Sequence, residues 1–283
     1  MNKKIHLFGK TIKVSHILLT IIMFGIAFLM IAPFLWVLSA SFRTYSEATS
    51  LPPKWLPPFF TEMRLGYFKK LFSNTIPFFV FMKNSLKISV IITLGMSLHG
   101  AIAGYAYAKF DFPGKKGLFT LYIALMMMPF QVMLLGNYLV LDDLRLLDSL
   151  LGIILPAVFS TFPVFIMYRF FEGIPLALLE AARLDGAGEL RLFFMIAIPL
   201  GSPGVISAMV LGFLEYWNLI EQPMVFLKTK ELWPLSLYLP NIDMDHAGTA
   251  FAASMVALIP AVLVFFAGQD YLEQGIVSTA VKE

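Results

Sequence analysis

Apolar runs long enough to cross a lipid bilayer recur along this chain, and they restrict its fold more than any other feature. A helix needs about 20 apolar residues to span the hydrocarbon core, where every backbone N–H and C=O must find its partner within protein. Six stretches qualify, at roughly 17–40, 84–107, 117–139, 150–171, 193–217 and 247–267. Of 283 residues, 59% are hydrophobic and 14% charged, far from the balance of a soluble domain. The expected class is all-α: a polytopic membrane protein of six transmembrane helices in one domain over 17–283, with a cytoplasmic, amphipathic lead-in at 1–16.

Charge sets the expected orientation. Lys3, Lys4, Lys10 and Lys13 precede the first run and argue for an inside N-terminus. That run is too long for a signal-peptide core and reads as an uncleaved anchor. Lys109, Lys115 and Lys116 flank a Pro113-Gly114 turn, a short inner loop, whereas Asp142, Asp143, Arg145 and Asp148 form an acidic outer one. The 41–83 loop is placed outside, with Pro52, Pro53, Pro57 and Pro58 stiffening the chain around Trp55. Its basic residues run against the positive-inside rule, which long loops obey less closely. A second long outer loop is expected at 218–246, and a short tail returns inside. Prolines interrupt five of the six runs: Pro33, Pro129, Pro156 with Pro163, Pro199 with Pro203, and Pro260. Each frees a carbonyl that must be satisfied inside protein or a wet cavity.

Several chemistries are excluded. The chain has no cysteine, so thiol catalysis and disulfides are out. His6, His16, His99 and His246 lack metal-ligand spacing. Gly9-Lys10-Thr11 fails as a phosphate loop because Lys4 stands where the first glycine is required. A net charge of +3, dispersed along the chain, gives no support to nucleic-acid binding. No metalloprotease helix or nucleophile elbow occurs, which leaves a stand-alone membrane enzyme without an acid–base constellation.

The most polar stretch of the second half, 174–199, separates the fourth and fifth runs. Pro175 suits a first helical position, and Leu176, Leu179 and Ala182 recur at helical spacing, as do Leu178, Ala181 and Asp185. Gly186 then offers a left-handed stop. Glu180 and Arg183 are spaced to pair on the wet face. Small Ala181 and Ala182 would let a groove approach, with Leu178 and Leu179 as anchors. An amphipathic connector resting in the headgroups fits the same pattern.

The spacing Glu180-Ala181-Ala182, Gly186, Ile196, Ile198-Pro199 resembles the EAA loop of the membrane permeases of binding-protein-dependent ABC importers, with Ile198 where leucine is usual. The likeness extends over nearly the whole chain. Asn84-Ser85-Leu86, Ala103-Gly104-Tyr105-Ala106, Phe112-Pro113-Gly114-Lys115, Met128-Pro129, Gln131-Val132, Trp217-Asn218 and Ala280-Val281-Lys282 are similar to carbohydrate permeases, most of all to the smaller permeases of maltose-type importers. Gly136-Asn137 and Glu283 depart from that pattern. The resemblance implies that 180–186 is a cytoplasmic coupling helix that docks on an ATPase. It also implies a second permease as heterodimer partner, two copies of the ATPase, an extracytoplasmic solute-binding protein and a lipid setting, in a bacterial or archaeal inner membrane with both termini cytoplasmic. ATP and Mg would be used by the partners and no cofactor held by this chain. A permease for a non-sugar solute is the nearer rival.

For a substrate path, Glu215, Tyr216, Trp217 and Asn218 combine aromatic faces with polar groups, which suits sugar rings and equally suits an interfacial aromatic belt. Gln131 and Asn137 could line a path or bond between helices. His99 reads as a packed interhelical donor, and 221–240 as a segment able to meet a solute-binding protein.

Overall fold

The structure is a computed structural model that describes residues 4–7, 10–43, 47, 65–73, 77–242 and 247–280, with side chains from His16 to Glu273. The proline-bracketed stretch around Trp55, His246 and Glu283 lie outside the described residues. Contacts group the chain into two compact units, Met1–Ile76 with Ile242–Val256, and Pro77–Asn241 with Ala257–Glu283.

In the first unit, β1 (Lys4–Leu7) and β2 (Lys10–Lys13) pair antiparallel, with Lys4 opposite Lys13 and Leu7 opposite Lys10. This ladder is the departure from an all-α chain among the described residues. The helix α1 (Val14–Ser41) follows, uninterrupted by Pro33, and then α2 (Gly66–Phe72). Trp36 meets Phe251 edge-on at 5.6 Å, and Phe42 lies 5.3 Å from Phe68. Most of α1 is exposed apolar surface, Leu18 to Phe34 included.

The second unit is built on α3 (Phe78–Lys109). Then come α4 (Lys115–Met126), α5 (Phe130–Asp143), α6 (Leu150–Val158), α7 (Thr161–Glu172), α8 (Leu176–Leu184), α9 (Glu189–Leu200) and α10 (Ser202–Trp217). Short helices α11 (Glu221–Phe226) and α12 (Leu235–Tyr238) precede α13 (Ala247–Ala280), which enters this unit at Ala257. Four helical stretches are long and apolar enough to cross a bilayer: His16–Ser41, Phe78–Lys109, Leu150–Glu172 and Ala247–Glu273. Two bent pairs bring the number to as many as six: α4 with α5 at 102°, and α9 with α10 at 74°. The runs at 117–139 and 193–217, each read from sequence as one proline-interrupted span, are sharply bent. At the first break Pro129 lacks an N–H and pushes Met128 out of the helical region. The second break falls at Gly201, just before Ser202 opens α10 with Pro203 in its first turn.

α3 packs on α6, α7 and α10. A Cβ on Gly104 would sit 2.8 Å from the Tyr168 nitrogen and 3.1 Å from the Val164 oxygen. One on Gly100 would sit 3.0 Å from the Pro163 carbonyl carbon. These two glycines, four apart, let the α3 and α7 backbones meet, the usual role of small residues between membrane helices. One apolar cluster gathers Ile88, Ile92, Met96, Ile153, Tyr216 and Phe226, and another Tyr105, Met167, Phe171, Phe193 and Ala197. Asn84 donates to the carbonyls of Glu231 (2.8 Å) and Trp233 (3.1 Å), and the Leu235 N–H donates to Ser85 Oγ at 2.8 Å. These bonds fasten the 231–235 segment to the start of α3.

Gly104→Leu is expected to destabilise the protein by about 1–3 kcal/mol, since backbone atoms cannot yield as a side-chain tip would. Gly136→Ala, with nothing within 4 Å of the new methyl, is the tolerated control. Thermal midpoints in detergent and membrane abundance read the difference; equal values for the two variants would refute the close approach.

Candidate functional site

α8 is a short surface helix with a fixed beginning and end. Pro175, extended at φ −59° and ψ 131°, stands just before the first helical residue rather than in it. At the other end Gly186 has φ +85°. Its N–H donates to the Arg183 carbonyl at 3.0 Å and that of Ala187 to the Ala182 carbonyl at 3.0 Å, which together form a Schellman stop.

The two leucines expected to anchor α8 together are separated by the helical twist of 100° per residue. Leu179 is fully buried in its own chain, whereas Leu178 is 49% and Leu184 90% exposed. Glu180, Ala181, Asp185 and Gly186 are exposed and Ala182 half-buried. The outward face therefore presents Leu178, Ala181 and Leu184 within a polar rim. Arg183 does not take Glu180 as its partner. It forks onto Glu189, Nε to Oε1 at 2.8 Å and Nη2 to Oε2 at 3.3 Å, across the turn between α8 and α9. The Glu189 carboxylate holds the guanidinium above its ordinary range, chiefly by that hydrogen bond. α9 continues through a π-helical stretch, Phe193–Ala197, into the bend at Gly201.

The candidate path residues are scattered. Tyr216 and Trp217 are buried: Tyr216 belongs to the Ile88 cluster, and Trp217 stacks on Phe213 (5.6 Å, 13°) and donates Nε1–H to the Ala257 carbonyl at 3.2 Å. Glu215 and Asn218 are exposed at the end of α10, with the Asn218 amide bonded back to the Leu214 carbonyl at 2.8 Å. Gln131, exposed, follows the Pro129 break, and Asn137 is half-buried further along α5. His99 packs edge-on against Phe159 at 5.3 Å.

Beyond α5, Asp148 fastens the 226–229 segment. Its carboxylate accepts from Lys228 N (2.9 Å), Thr229 N (2.8 Å) and Thr229 Oγ1 (2.6 Å), and its own N–H donates to the Phe226 carbonyl at 2.8 Å. Asp148 and Arg145 both hold φ of +55°, a conformation that aspartate tolerates better than most residues. The Thr229 hydroxyl first, then the Thr229 and Lys228 N–H groups, hold the Asp148 carboxyl below the ordinary carboxylate range.

Residues 96–278 match the family described as binding-protein-dependent transport system inner membrane component. The chain belongs to this family. The match runs from the middle of α3 almost to the end of α13. The arabinooligosaccharides transport system permease protein AraQ of Halalkalibacterium halodurans is 30% identical, over 96% of this chain and 99% of its own length. The diacetylchitobiose uptake system permease protein NgcG of Streptomyces coelicolor is 29% identical, over 89% of this chain and 83% of its own. A solved bacterial ABC transporter involved in the import of the acidic polysaccharide alginate has a chain with the same fold. Its TM-score is 0.80 at 21% identity, covering 91% of this chain and 96% of that one. The relatives are transport permeases, a non-catalytic class of membrane subunit.

The Gly100–Gly104 spacing, two glycines four apart in an apolar run, is a signal of close helix approach legible in the sequence. The Asp148–Thr229 contact, 81 positions apart, carried none.

A depressed carboxyl stabilises the fold above its unfolded-state pKa and loses that contribution as pH falls through the lower folded value. Asp148→Asn keeps the tolerance for positive φ and removes the charge. Its stability deficit should be full at neutral pH and close as pH falls below 3.8, the ordinary value. Thermal midpoints from about pH 3 to 7 test this; a deficit unchanged across the range would remove the charge from the account.

Proposed function

We propose that this chain is a permease subunit of an ATP-driven ABC importer for an oligosaccharide, and that α8 is the helix by which a cytoplasmic ATPase moves it. Family membership supports the permease role. The observation that carries the coupling role is the division of α8, with Leu179 keyed into the chain while Leu178, Ala181 and Leu184 face out beside a rigid stop. That is the form of an amphipathic helix offered to a groove.

In this reading the apolar elements make six crossings, α8 lies between the fourth and fifth, and both termini are cytoplasmic. The partners are a second, different permease, two ATPase copies that use ATP and Mg, and an extracytoplasmic solute-binding protein, assembled in a bacterial or archaeal cell membrane. Arabinooligosaccharides and diacetylchitobiose, the solutes named for relatives, support an oligosaccharide cargo and do not single out maltose. Glu215, Asn218, Gln131 and Asn137 are the polar groups offered to the path, with Tyr216 and Trp217 as its supporting wall.

The test is mild-detergent purification of the tagged chain from its native membrane, with co-purifying subunits identified by mass. An ATPase and a second permease are expected. Leu178→Glu, exposed and so harmless to the chain's own packing, should weaken ATPase retention about 30-fold or more, as for an interface hot spot. Unchanged retention would move docking away from α8.

Gly186→Val meets no steric neighbour but places a β-branched residue at positive φ. It should abolish ATP-driven uptake at normal membrane abundance. Normal uptake in that variant would contradict the coupling role.

A further inference from the structure

Lys109, the last residue of α3, reaches the connector from which α8 hangs. Its Nζ donates to the Ile174 carbonyl at 2.6 Å and lies 3.5 Å from that of Glu172. The Glu172 carbonyl ends α7, where helix ends leave acceptors without intrahelical donors and carry partial negative charge, and the Ile174 carbonyl lies two residues on, in the connector. The Glu172 carboxylate is engaged elsewhere, by Tyr168 Oη at 2.7 Å and Arg169 at 3.5 Å. Lys109 therefore acts on the backbone of the connector and is not one half of a surface ion pair.

The connector is gripped a second time through its side chain. Ile174 is buried in the cluster that holds Tyr105 of α3, Phe171 of α7 and Phe193 of α9. Just before Tyr105 on α3, Gly104 brings the α3 backbone against α7 at Val164 and Tyr168. Apart from Lys109, the backbone of 173–174 makes only the local turn bonds of its N–H groups to the Phe170 and Phe171 carbonyls, and a pulled α8 could swing about Gly173 while α3 stayed still.

We propose that Lys109 is a positioning residue that locks the connector to α3, so that α8 and the C-terminal half of α3 move as one rigid lever. The proposal rests on the reading of α8 as the ATPase-docking helix. Lys109→Met keeps an unbranched apolar stem one atom shorter and removes the charge-assisted donor.

The chain has no cysteine, so Leu98→Cys on α3 and Ala177→Cys on α8, both exposed, can carry one spin label each. Pulsed electron paramagnetic resonance then reads their separation in the complete complex, with cysteine-free partners. Measurements are made without nucleotide and with the ATPase trapped by MgADP and vanadate. The native protein should give one narrow distance common to both states. In K109M the population away from that distance should rise about tenfold, the scale of one lost charge-assisted hydrogen bond, and K109R should restore it. If K109M does not assemble, K109Q takes its place. Distributions for the variant that superimpose on the native ones in both states, in a complex that retains its ATPase, overturn the lever. A native complex that contains no ATPase overturns the reading of α8, and the lever falls with it.

Discussion

Inside a bilayer no water replaces a missing backbone partner, and this condition governs where the chain bends and which side chains are polar. Helices meet it without help. Each interruption needs a donor or acceptor from elsewhere in the protein. Two polar side chains with defined bonds sit at such places: Lys109 on the connector after α7 and Asn84 on the carbonyls of 231 and 233. In an exposed loop, Asp148 likewise accepts from the N–H groups of 228 and 229. These three groups mark places where helical geometry ends.

The local features of the candidate site were readable because their causes are local. A glycine after the last periodic residue of α8 specifies its own stop, and Gly186 holds the positive φ that such a stop requires. Features settled by distant partners were not readable. Leu178 and Leu179 are equivalent in the sequence, and only the packing of α8 on its own chain decides which one remains outside. Glu180 and Glu189 both lie within reach of Arg183, and the turn at 185–188 brings the second one close. Prolines were visible in five apolar runs, yet Pro33 and Pro260 lie within continuous helices while Pro129 accompanies a 102° break. Composition alone does not separate these cases, because a neighbour that re-satisfies the freed carbonyl keeps the helix intact.

The aromatic pair at 216–217 makes the same point for function. Aromatic residues beside a carboxylate suit a sugar ring, but burial commits both rings to the protein's own packing, Tyr216 among the residues around Ile88 and Trp217 against Phe213. What remains exposed there is Glu215 and Asn218, groups that sequence alone gave no reason to prefer over the rings. In the proposed path, rings locked in packing would hold the end of α10 still behind these two groups.

Exposed apolar surface carries a different kind of information. α1 presents apolar side chains along most of its length, and in water such a face would demand a partner. In a bilayer, lipid tails are as apolar as leucine, so exposure on a crossing helix brings no hydrophobic penalty and names no partner. Outside the hydrocarbon, apolar exposure has a different meaning. Leu178 and Leu184 stand on a short helix bounded by Arg183, Asp185 and Glu189, a setting of water or headgroups where apolar exposure is unfavourable. The same residue type is thus uninformative on α1 and informative on α8, because what decides its meaning is the solvent around it. The small α8 face, and not the much larger face of α1, is therefore the surface from which a protein partner can be argued.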